Sequence, residues 1–192
     1  MRVRVCRLFQ PPGALKMKRS TRHLTATAAI AFSLLSASTV WAAGKLEKSD
    51  AALLKDIAQA NIAEVETGKL AIEKASNPEI KKFAQMMVDD HTKGLADVKT
   101  LASASGTELP DGPDAKHKVV MIELKALSGD TFDSRYVKQA GVGDHQATEK
   151  LLKKTQAEAK DADLKALAGK MLPIVQGHLQ HAQSLAASTA KK

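Results

Sequence analysis

Apolar residues recur along most of this chain at steps of three and four, the spacing that gathers them on one face of an α-helix, and little of it alternates as a strand would. The pattern predicts helix A from about Ser49 or Asp50, read as its N-cap, to Ala75. Ser76-Asn77-Pro78 ends it, and Pro78 opens helix B, which runs to about Ala104. Leu109-Pro110-Asp111-Gly112-Pro113 is a strong turn cluster. A short helix from Asp114 to Leu127 follows, then helix C from about Thr131 to Lys160 and helix D from Asp161 or Asp163 to about Ala187. Gly141 and Gly143 are expected to loosen helix C, and Pro173 to kink helix D. Two long hairpins joined through a short extra helix describe an all-α, four-helix bundle with one crossover connection.

The stripes contain residues that do not belong in an apolar core. Helix A presents Leu54, Ile57, Asn61, Glu64, Val65, Gly68 and Ile72 on one face, with Glu66 turned away. Helix B presents Ile80, Phe83, Met87, His91, Val98 and Leu101. Helix D presents Leu164, Ala168, Met171, Val175, His178, Leu179, Ala182 and Leu185, with His181 at the edge. His145 aligns with Val142 and Leu152 but not with Tyr136, and the two glycines leave its phase open. Counted from the hairpin turns at 1.5 Å per residue, Glu64 and His91 lie roughly 20 Å deep and His145 and His178 roughly 24 Å. If the two turns sit at opposite ends of a bundle about 40 Å long, all four side chains meet near its middle. Buried ionisable groups are costly unless paired, so this layer is the place to look for function.

The first 42 residues read as targeting rather than fold. Lys18, Arg19 and Arg22 form a basic run, Ala26 to Leu35 an apolar core, and Val40-Trp41-Ala42 a small-residue cleavage site, while Met17 is a second candidate start. The apolar run is shorter than the roughly 20 residues a bilayer requires. A single mature domain of residues 43–192, soluble and periplasmic or secreted, is therefore expected. The leader also changes the charge reading: it holds seven of the 29 basic residues and no acid, leaving 22 basic against 21 acidic residues and a net +1 in place of +8. With one arginine, Arg135, three aromatics and lysines interleaved with acids, the mature part lacks the footprint of a nucleic-acid binder. The sole cysteine, Cys6, lies in the leader, which removes disulfides and thiol chemistry from the mature chain.

Several segments in order resemble a bacterial family of exported, ferritin-like four-helix proteins, domain of unknown function 4142, often labelled outer membrane proteins. The resemblance is carried by Glu64-Val65-Glu66-Thr67-Gly68-Lys69-Leu70-Ala71, by the run Phe83 to His91, by Phe132-Asp133-Ser134-Arg135-Tyr136, by Asp144-His145, and by Leu172-Pro173 followed by His178-Leu179. It implies a ferritin-like fold and brings no established activity. The outer-membrane label finds no support in the sequence, which has neither a lipid-bearing cysteine nor alternating barrel strands.

A ferritin-like bundle raises the question of metal. Di-iron members carry Glu-x-x-His pairs, but Val88 and Val175 stand three residues before His91 and His178. Glu64, His91, His145 and His178 suit one divalent transition ion, zinc, copper or iron, with Asp90, Asp144 and Tyr136 as groups that orient the imidazoles. The competing reading is a hydrogen-bonded polar layer that fixes helix register, each histidine donating to Glu64, Asp90 or Tyr136. His117 and His181 are expected at the surface, Met86, Met87, Met121 and Met171 as packing, and Arg135 in a salt bridge. No nucleophile-base order or phosphate loop stands out. The leading expectation is thus a non-enzymatic structural, interaction or envelope-stress role, with the partner left unknown and a second copy or an envelope component as candidates, and metal binding or metal-dependent redox chemistry as the alternative.

Overall fold

The computed structural model describes residues 44–189 and is all-α. Its elements are α1 (Lys48–Lys74), α2 (Pro78–Ser105), α3 (Ala115–Ala126), α4 (Gly129–Tyr136), a π-helical segment (Val137–Asp144), α5 (His145–Glu158) and α6 (Ala162–Thr189). Because α4, the π segment and α5 run on without a break, these make five helices, four long and one short. The expected signal peptide falls outside the described residues. Among the described residues no helix is long and apolar enough to cross a membrane.

Local chemistry explains most of the boundaries. Asn77 caps α2 by accepting from the Glu79 N–H at 2.9 Å, with Pro78 at the first helical position. Gly106 closes α2 at φ 65°, a left-handed conformation that glycine adopts without a Cβ clash. Asp114 caps α3 through the His117 N–H. Pro173 lies inside α6 without ending it.

Asp50 does not cap α1, as its sequence position suggests; Glu47 occupies that place. Its carboxylate instead crosses to the α5/α6 turn and accepts from the Lys160 and Asp161 N–H groups at 2.9 and 2.8 Å. At the other end Asp133 of α4 holds the α1/α2 turn, accepting from Ser76 N–H, Ser76 Oγ and Asn77 N–H. Each hairpin turn is thus tied to the start of a helix from the other hairpin, which puts the two turns at opposite ends. Charge-assisted bonds to otherwise unpaired backbone donors are worth more than neutral ones, so these aspartates fix the relative register of the hairpins.

The apolar core comes in two halves. One joins Leu54, Ile57, Val98, Leu152, Leu164 and Ala168. The other joins Ile80, Phe83, Met87, Phe132, Tyr136 and Ala182. On every long helix the break between the halves falls at the same level, and there sit Asn61 and Glu64 of α1, His91 of α2, His145 of α5 and His178 of α6, all buried.

Candidate metal centre

The three histidines face one another. Each pair of ring centroids is 5.4 Å apart, so the imidazoles form a nearly equilateral triangle. None is more than 5 % exposed. One ring nitrogen from each lies within 4.8 Å of those of the other two.

His145 owes its place to the π segment. In an unbroken α-helix Tyr136 and His145, nine residues apart, would point to opposite faces. The wider turns of Val137–Asp144 absorb that half-turn, and both side chains reach the interior. Gly141 permits the segment to lie close to α6, since a Cβ there would come within 3.0 Å of Ala182 Cβ. The Ala140 carbonyl of this segment accepts from His145 Nδ1 at 2.9 Å.

Each imidazole is held from behind by an oxygen. Besides the His145 bond to Ala140, His91 Nδ1 meets Asn61 Oδ1 at 3.1 Å and His178 Nε2 meets Asp90 Oδ2 at 3.1 Å. With an acceptor on that side, each of these nitrogens carries the proton, so the other nitrogen of each ring presents a lone pair. Those other nitrogens, His91 Nε2, His145 Nε2 and His178 Nδ1, are buried and have no hydrogen-bond partner among the described residues. Oriented by remote acceptors and bare on the near side is how metal-binding imidazoles are prepared. Nitrogens sharing a tetrahedral ion lie roughly 3.3 Å apart, so modest side-chain rotation closes the triangle on one.

The electrostatics keep the rings neutral. Burial holds His91 well below the usual imidazole value, and the neighbouring His145 and His178 push the same way. Burial also takes His145 down to about 4. His178 is lowered by burial, partly offset by Asp90. Metal ligation requires the deprotonated form, and all three have it at neutral pH.

Glu64 stands outside the triangle. Its Oε1 lies 3.4 Å from His145 Nδ1, the edge of the ring away from the bare Nε2, and its Oε2 is buried without a hydrogen bond. Burial, with the charge on Asp144 second, raises its carboxyl well above the ordinary range. Tyr136 packs between Phe83 and Phe132, and its hydroxyl is likewise unpaired among the described residues. Asp90 orients His178 across the bundle rather than its sequence neighbour His91. Asp144 turns toward α3, taking Lys116 at 3.1 Å and Gln139 at 3.0 Å, with His117 Nε2 at 3.6 Å. His117, expected at the surface, is therefore tucked between Asp114 and Asp144, and those carboxylates raise it above its usual value. His181 is exposed, its ring edge-on to Phe83. Arg135 pairs with Glu123.

Asn61 was visible on the helix A stripe, but nothing in the sequence marked it as the acceptor for His91. The signal was its helical neighbourhood: an amide one turn before Glu64, on a face otherwise apolar. Its position depends on Gly94, where a Cβ would stand 2.7 Å from Asn61 Oδ1 and 3.2 Å from Met171 Cε. Gly94→Ala is expected to push Asn61 off His91, lowering stability by about 1–3 kcal/mol as overpacking does. Urea denaturation of the metal-free protein checks this, and an unchanged midpoint would show that Asn61 moves aside freely.

Comparison with known proteins adds three findings. The model of the family DUF4142, a domain of unknown function, matches residues 35–185. No curated protein matches the chain. A solved structure described as "CopM in the Cu(II)-bound form" superposes with a TM-score of 0.61 at 14 % identity, covering 72 % of this chain and 96 % of its own. At that identity the likeness speaks to the helical fold alone.

Proposed function

The chain belongs to the DUF4142 family, a domain of unknown function, and from its geometry we propose that it is a copper-binding protein whose ion is held by His91, His145 and His178. One observation carries this reading: three buried imidazoles converge on a point with their facing nitrogens unpaired while their remote nitrogens are all bonded. An unpaired buried polar atom costs about 1–3 kcal/mol, so three at one point are a poor way to fix helix register and a good way to receive an ion. Imidazole suits copper, zinc and iron, and copper(II) binds nitrogen sites most tightly of the divalent series. The fold likeness to a protein described in a copper(II)-bound form supports copper over the others. Glu64, once counted among the ligands, serves in this reading as a neighbour of His145.

The remainder of the proposal concerns setting. The leader supports export, with residues 43–192 as the mature domain in the periplasm or outside the cell, and the five helices support a ferritin-like bundle with a crossover. The role proposed for the site is binding or carrying the ion. The protein, purified without a histidine tag, is to be exposed in turn to copper(II), zinc(II) and iron(II), desalted and subjected to elemental analysis. One copper per chain is expected. A chain that holds none of the three metals would sink the proposal.

A further inference from the structure

Resting on that reading, we propose that the copper site keeps one coordination position open to a small exogenous ligand, water or a small anion, which arrives through a cavity between α2 and α6. Three protein nitrogens converge, and among the described residues no fourth histidine, carboxylate or thiol joins them. The buried carboxylate of Glu64 sits behind His145 on the Nδ1 side. The site is thus one donor short of a closed tetrahedron, the arrangement that separates exchanging sites from purely structural ones.

A cavity of about 170 Å³ between α2 and α6 reaches two of the three histidines. His91 and His178 form part of its wall, with Asn61, Gly94, Met171 and Val175, while His145 is not among its lining residues. Lys93, Asp97 and Lys170 also line it, Lys170 paired with Asp97, and the bare glycine at 94 leaves room that a side chain would take up. Ile174, 45 % exposed, stands at its rim. The volume accepts a molecule of a few atoms and excludes a peptide or a lipid chain.

Azide is a suitable probe, because it binds copper(II) end-on and gives charge-transfer absorption that free azide lacks. Wild-type protein is loaded with copper and its metal content measured before any azide is added. Titration should then give saturable absorption with one azide per copper. Ile174→Trp should keep one copper per chain while raising the azide needed for half-saturation roughly tenfold or more. Ile122→Trp, at a site 69 % exposed on α3, should change neither quantity. If the wild type loads copper but shows no azide absorption, or if Ile174→Trp binds azide as the wild type does, the open position on this face is refuted and copper binding stands. A wild type without copper refutes the metal reading itself, and this proposal with it.

Discussion

Replacing His178 with leucine is expected to abolish copper binding and, in the metal-free protein, to raise stability by about 1–3 kcal/mol. The sign follows from what each atom of the imidazole does. His178 Nδ1 is buried and unpaired, so removing it relieves a desolvation cost. Its other nitrogen bonds Asp90, whose side chain is 33 % exposed and can return to water. Leucine is of similar size and matches the stripe of Val175, Leu179 and Ala182 on α6. His91→Leu should gain less, because it strands the buried Asn61 Oδ1 that His91 now satisfies. Copper stoichiometry and urea midpoints of the two variants decide the matter. A register-fixing polar layer demands the opposite outcome, a less stable His178→Leu protein with no change in metal, and that result would remove the triad from consideration as a metal site.

Acid should weaken the metal-free protein through its buried imidazoles as pH falls below their ordinary range. Above pH 6.5 neither folded nor unfolded His145 carries a proton, and its contribution is constant. Below that, the unfolded chain takes up a proton that the folded one refuses until pH falls to about 4. The unfolded state binds more protons across this window, so stability declines with pH by about 1.4 kcal/mol per unit, on the order of 3 kcal/mol in all. His91 and His178 are lowered too and act in the same direction. Glu64 acts against them: its folded value is raised, so protonation favours the native state as pH falls toward its unfolded value of 4.5. His117, also raised, favours the native state below its folded value. The His145 share is therefore read as the difference between the wild type and a variant that lacks this imidazole. Chemical denaturation at half-unit steps should show it, and His145→Gln should flatten the decline. A His145→Gln protein whose midpoint follows pH as the wild type's does would mean that the His145 ring is hydrated or already charged.

Much of this was legible because helical periodicity is a strong signal and the polar exceptions to it are few. His91 and His178 stand on the faces their stripes gave them. Both core halves use the apolar positions that the stripes of α1, α2 and α6 contain. His145 could not be phased, since regular α geometry carries its side chain half a turn from Tyr136, and nothing in Val137 to Asp144 announces wider turns beyond two glycines. Long-range pairings were also hidden. Asp50 reads as a cap and bonds a turn 110 residues later. Asp90 neighbours His91 but bonds His178, because adjacent residues on a helix point about 100° apart. Sequence proximity said who was near, and the packing of four helices decided who was facing.

The π segment has a further consequence for how the protein can change. It behaves like a dislocation: a surplus of backbone within one continuous helix lets the stretch before Val137 and the stretch after Asp144 each keep its own azimuth toward the rest of the molecule. Winding Val137–Asp144 back into regular α-helix at unchanged length would heal the defect, and the helix must then rotate one of its ends. Either the Phe132–Tyr136 anchor or His145 loses its inward aim. Loss of the metal site thus needs no change in any ligand, only a change in how this one segment winds.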